Sequence, residues 1–198
     1  MATVSGDGIR PMFQDALEML RLTWASFRRP DVSALEKAAT LGESIHTREK
    51  ELTRLLLAQS ASEQLRFVPG HLERIGDAIE GLLRCLHTMQ AEGTLFTDRG
   101  VREVNRLFGK AVELLECARD LMLTGNRVLA AHVAGESGRF QELADEFARA
   151  HEERLIEGVC MPRASSAYLA ILDYLREVVR HTHRIAERLA PAVEPAGP

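Results

Sequence analysis

Aromatic residues are scarce in this chain, at 5% of its 198 positions, while Leu, Ala, Glu and Arg abound. Straight-chain side chains lose little rotamer freedom in a helix, so this bias favours helix. An excess of charge of one sign is also missing: the formal net charge is −4, with basic residues interleaved among acidic ones. That excludes strong steering toward nucleic acid or an anionic membrane. Cysteine is limited to Cys85, Cys117 and Cys160, which are isolated and form no C-x-x-C pair. They read as buried free thiols of a reducing compartment. Apolar runs such as Ala167 to Leu172 are far short of the ~20 residues that a membrane-spanning helix needs. The first ten residues carry no apolar stretch of the secretory kind, so the expected location is the cytoplasm, peripheral to a membrane at most. A Gly-rich phosphate loop, a nucleophile elbow and zinc-binding Cys/His spacing are absent too, which removes the commonest motif-borne enzyme classes.

What is present is helical periodicity almost from end to end. Residues 1–10 and 190–198 are rich in small residues, Gly or Pro and read as a flexible N-terminal tail and a disordered C-terminal tail. Phe13, Ala16, Leu17, Leu20, Trp24 and Phe27 follow the i, i+3, i+4, i+7 rule and predict a first helix from Pro11 to Phe27. A second, capped by Asp31 or by a Ser33–Glu36 box, buries Leu35, Ala38, Leu41, Ile45, Leu52 and Leu56. A third runs from a Ser60-Ala61-Ser62 cap to Met89, kinked or split at Pro69-Gly70. After a connector with a Thr97-Asp98 cap come helices over 100–123, 126–155 and 165–189, the last capped by Ser165-Ser166.

The halves repeat. Phe13-Gln-Asp-Ala-Leu-Glu-Met-Leu20 lies over Phe108-Gly-Lys-Ala-Val-Glu-Leu-Leu115, Gly42-Glu43-Ser44 over Gly135-Glu136-Ser137, and Leu72 to Ile79 over Leu172 to Val179. Three matches in one order argue for internal duplication. The expected fold is all-α: two tandem three-helix bundles, residues 11–92 and 100–189, six helices in all, packed side by side because each unit is small to stand alone.

Chemistry, if any, lies on acidic stripes. Glu73, Asp77 and Glu80 form a polar stripe beside the apolar one of Leu72, Ile75 and Ile79, and Asp173 and Glu177 repeat the carboxylate pair in the second half. Carboxylates one turn apart repel, a cost that a cation offsets. The bland alternative is a solvated face with Glu-to-Arg pairs, such as Glu80 to Arg84. Helix two supplies further candidate ligands: Glu43, His46 and Glu49 in the first unit and Glu136, Glu142 and Asp145 in the second. His181 and His183, beside several arginines, read as a solvated basic face. Glu43-x-x-His46 fits half of a di-iron carboxylate signature; a second such pair is missing, so a metalloenzyme stays a minor alternative.

The string Leu72-Glu-Arg-Ile-Gly-Asp77 resembles the third-helix signature of the PhoU family of phosphate-uptake regulators. The segments His151-Glu-Glu-Arg-Leu155, Gly158-Val-Cys160 and Ser166-Ala-Tyr168-Leu169 resemble the second repeat of PhoU domains attached to sodium–phosphate cotransporters. The resemblance covers roughly residues 12–189. It implies two three-helix bundles with multinuclear metal sites on carboxylates, holding ions such as iron, zinc or nickel. It also implies a non-enzymatic regulator of phosphate transport or signalling, acting through a phosphate transporter or sensor kinase at the membrane, with a homodimer as an option. The chain departs from the pattern at Ala78, where the family has His, and at His46 and Gln141, where it usually has Asp. The second signature lacks Arg-Ile-Gly and reads Asp173-Tyr-Leu-Arg-Glu177. A metal-binding helical protein serving another transport system, or a structural interaction module, would fit the same stripes.

Overall fold

The computed structural model describes residues 8–58 and 63–190, and every regular element among them is helical. The helices are α1 (Ile9–Arg28), α2 (Val32–Ala58), the single turn α3 (Glu63–Arg66), α4 (Val68–Glu92), α5 (Asp98–Thr124), α6 (Arg127–Ile156) and α7 (Pro162–Leu189). One bundle is made of α1, α2 and α4 and the other of α5, α6 and α7; they meet where α4 packs on α7 and α1 on α5. This is the expected pair of three-helix bundles side by side. Residues 1–7, 191–198 and the Ser60-Ala61-Ser62 cap lie outside the described residues. Among the described residues, no helix is long and apolar enough to cross a membrane.

Local chemistry sets the helix ends. Asp31 rather than Ser33 caps α2, its Oδ1 accepting from the Ala34 amide at 3.1 Å. Pro69 does not kink a long third helix; it sits in the first turn of α4, where a missing N–H costs nothing. Thr97 and Asn126 cap α5 and α6 through their side-chain oxygens. Gly93 and Gly125 end α4 and α5 in the left-handed region, both at φ 63°, which a side chain would resist. Ser165 is not the cap of the last helix. That helix starts at Pro162, and the Ser165 hydroxyl donates to the Met161 carbonyl.

The core is continuous across both bundles. Leu72, Ile75, Ile79, Leu172 and Val179 are fully buried, as their spacing required. Burying a Leu or Ile contributes about 1.5–3 kcal/mol. At the α1–α5 seam Trp24 stacks on Phe108 and donates its indole N–H to Asn105 Oδ1 at 2.7 Å. At the α4–α7 seam the ring of Tyr174 lies against Gly81, where a Cβ would come within 2.2 Å of it. The resemblance segments of the second repeat meet inside that bundle. The Glu103 carboxylate accepts from Arg154 at 2.7 Å, from the Tyr168 hydroxyl at 2.6 Å and from Arg99 at 2.9 Å, and His151 stacks on Tyr168. Cys160 is buried, while Cys85 and Cys117 are half-buried, and all three are free thiols.

Burial also corrects the register of the repeat. α1 and α5 share one burial pattern at an offset of 95 residues: Met12, Phe13, Ala16, Leu17 and Leu20 are buried, and so are Leu107, Phe108, Ala111, Val112 and Leu115. The same offset relates α2 to α6, pairing buried Ala38 with Val133, Gly42 with Ser137, Ile45 with Phe140 and Leu52 with Phe147. The Gly-Glu-Ser match is therefore a slip: Gly42 is buried, whereas Gly135 is exposed.

Candidate metal-binding face on helices α2 and α4

Two packed helices build the first stripe into a cluster. Ile45 on α2 is fully buried beneath Gly76 of α4, which brings His46, the next residue, over the polar stripe of α4. Its Nε2 lies 3.1 Å from Glu80 Oε1 and 3.7 Å from Asp77 Oδ1, and its Nδ1 lies 3.5 Å from Glu73 Oε1. One imidazole thus stands among three carboxylates from successive turns of one helix. The side chains are partly shielded, Glu73 at 29% exposure and Asp77 at 45%. Apart from His46, the ion pairing of these carboxylates among the described residues is one long contact, Arg74 to Glu73 at 3.8 Å. Negative charge is left in excess.

Ligand atoms of His46, Glu73 and Asp77 all lie within 4.8 Å of one another. Ligands on one ion at ~2.1 Å sit within about 4.2 Å of each other, so small rotamer changes would bring them onto a common cation. A borderline imidazole with hard carboxylates suits zinc, iron or nickel better than an all-oxygen calcium site. The residues present fit such an ion, and Glu80 is within reach as a further ligand.

Other candidates fall elsewhere. Glu43 is exposed, and the carboxylate of Glu49 accepts from the Thr53 hydroxyl at 2.8 Å instead of reaching His46. Glu136 matches Glu43 in the slipped register alone. At the true offset it corresponds to Leu41, and it binds Lys110 at 3.0 Å and Arg139 at 2.5 Å. Those two hydrogen bonds hold its carboxyl below the usual range. Asp173 pairs with Arg176 at 2.7 Å, and Glu177 pairs with Arg180. The acidic pair repeats in sequence, but its surroundings do not.

The reading of His181 and His183 as a solvated basic face is overturned. His181 Nδ1 lies 3.2 Å from His71 Nδ1 across the α4–α7 seam, and burial, then Arg180, lowers its pKa to about 4. His183 is likewise partly buried, with Nε2 3.1 Å from Glu187. The spacing of His71 and His181 on separate helices carried no hint of this contact; their shared seam creates it.

The fold and the face define a class: tandem three-helix bundles that carry an acidic, histidine-topped stripe on the packed helices of one repeat. Residues 9–85 match the PhoU domain. PhoU from Pseudomonas aeruginosa superposes with a TM-score of 0.80 at 18% identity, over 90% of each chain. The phosphate transport system regulatory protein PhoU from Streptococcus pneumoniae superposes with a TM-score of 0.78 at 17% identity, over 92% of this chain and 89% of that one. No curated protein matches the chain by sequence. The PhoU match by sequence is thus confined to the first repeat, whereas the fold of the whole chain is that of the PhoU structures.

Proposed function

We propose that this protein regulates phosphate transport or phosphate signalling through protein partners, without catalysing a reaction itself. The observation that carries the reading is the agreement of the PhoU fold over both repeats, together with the family match over residues 9–85. One similar structure bears the name of a phosphate transport system regulatory protein, which supports the same role here. The partner is a phosphate transporter or its sensor kinase at the cytoplasmic side of a membrane. His46, Glu73 and Asp77, with Glu80, hold a zinc, iron or nickel ion. When bound, the ion supplies fixed positive charge that locks α2 to α4 and sets the shape and potential of that face.

Deleting the gene and following phosphate uptake, polyphosphate and the starvation response across phosphate levels tests the role. Derepressed uptake or altered polyphosphate is expected, with restoration by the wild-type chain. Normal behaviour at every phosphate level would leave a metal-binding helical protein with another transport partner as the better account. The departures from the family pattern at His46 and Gln141 favour that second reading.

A further inference from the structure

The resemblance implies metal on both repeats, yet the second repeat does not fit an ion. We infer that two guanidinium groups of α7 supply there the positive charge that a metal supplies in the first repeat, so the protein responds to metal on one face only. This rests on the metal reading of the first face.

The equivalence of positions comes from burial. An offset of 100 residues carries α4 onto α7, pairing buried Leu72 with Leu172, Ile75 with Leu175, Ile79 with Val179 and Leu86 with Ala186. The same offset places Arg176 where α4 has Gly76, and Arg180 where it has Glu80. Between α2 and α6, the position of His46 is taken by Gln141.

These exchanges change what the carboxylates meet. At Gly76 the Ile45 side chain packs against the backbone, where a Cβ would come within 3.4 Å of it. Arg176 instead reaches across to α6, one nitrogen 2.6 Å from Asp145 and another 2.7 Å from Asp173, with its side chain 22% exposed. Gln141 donates to the Arg176 carbonyl at 3.5 Å instead of offering a ring nitrogen to the stripe. Arg180 pairs with Glu177, and His181 Nε2 lies 3.7 Å from the same carboxylate. Three carboxylates thus face two guanidiniums and an imidazole, whereas the three of the first repeat face one imidazole and, at 3.8 Å, the exposed guanidinium of Arg74. An imidazole can shed its proton and become a ligand; a guanidinium stays protonated in proteins and offers no lone pair. A cation entering the second face must displace two permanent charges. The first face varies with metal supply, and the second keeps a constant charge pattern.

Zinc and nickel titrations by calorimetry, with elemental analysis of the purified chain, test this. Wild-type protein should show one class of site, abolished in E73A/D77A. The variant Q141H/R176G/R180E, which carries the first repeat's residues at the three exchanged positions, should gain a second site at least tenfold tighter than background. That site should persist when E73A/D77A is added. R176Q/R180Q keeps helix propensity, so it serves as the measurement if the triple variant does not fold, and it should gain cation uptake at Asp145, Asp173 and Glu177. A wild-type site that survives E73A/D77A and is lost in D173N/E177Q overturns the inference. So does a folded variant that takes up no more metal than wild type. Uptake by the exchanged variant with none by wild type would sink the first-face reading, and with it the response on one face, while leaving the exclusion of metal by Arg176 and Arg180 standing.

Discussion

His46 Nε2 and Glu80 Oε1 meet at 3.1 Å across α2 and α4 because position 42 is glycine. A Cβ there would stand 2.7 Å from Glu80 Oε1 and 3.1 Å from the Met19 methyl. Both obstructing atoms are ends of flexible side chains. Gly42→Ala should therefore leave stability unchanged or raise it by up to about 1 kcal/mol, since alanine is the better helix former. The carboxylate of Glu80 must swing away, and zinc affinity should fall severalfold. Thermal unfolding without metal, beside calorimetric titration, separates the two effects; equal zinc affinity would remove Glu80 from the ligand set.

Glu73→Ala/Asp77→Ala removes two of the three carboxylates around His46. Metal content by elemental analysis should drop to background while the helical circular dichroism signal stays intact. Protein that never takes up metal on titration would leave the stripe as surface charge.

Ile75 is fully buried in the core, facing away from the stripe. Ile75→Ala leaves a cavity and should cost about 2–5 kcal/mol in urea unfolding. A cost below 1 kcal/mol would mean that α4 is not packed as described.

The Glu103 carboxylate is buried, which raises its pKa, but hydrogen bonds from Arg154, Tyr168 and Arg99 outweigh burial and hold it below the usual value. Glu103→Gln strands the buried Arg154 guanidinium and should cost about 3–5 kcal/mol. Because the folded-state pKa is depressed, this stabilisation is complete above the unfolded value of ~4.3 and fades as pH falls below it. Wild type and Glu103→Gln should converge in stability at acid pH; a constant gap down to pH 2 would contradict the pair.

His151 and His181 are held neutral, chiefly by burial and then by nearby arginine, with His181 titrating at about 4. An imidazole whose folded pKa lies below its unfolded value binds fewer protons folded than unfolded. The stability that both contribute is therefore complete above pH ~6.5 and declines as pH falls below it, for His181 by on the order of 1–3 kcal/mol by pH 4. His181→Gln should flatten part of that slope in denaturant midpoints measured from pH 7.5 to 4.5, whereas an unchanged slope would argue that the group is free to protonate in the fold.

Much of this molecule was legible in its residues. The spacing of Phe13, Leu17 and Leu20 and of Leu72, Ile75 and Ile79 predicts which faces are buried, because a 3.6-residue period leaves an apolar stripe one way to hide. Thr97 and Asn126 mark helix starts through their own side-chain chemistry. Ser33 and Ser165 misled for the same reason: several nearby residues can cap, and chain direction at the turn chooses among them. The match of Gly42-Glu43-Ser44 with Gly135-Glu136-Ser137 rested on identity alone, and burial moved the register and took Glu136 off the stripe.

What the amino-acid order determined by itself is local and periodic: helices, their apolar faces, the duplicated plan and the row of carboxylates on α4. Tertiary structure alone decided which polar groups meet. His46 reaches Glu73, Asp77 and Glu80 because Gly76 lets Ile45 of α2 pack on α4 and Gly42 leaves room for the Glu80 carboxylate, and Arg176 bridges Asp145 to Asp173 because α6 passes beside α7. The physical reason is range: helix formation and burial patterns follow from neighbours a few residues apart. A contact between charged side chains on different helices depends on how those helices are turned and spaced, and no single helix encodes that.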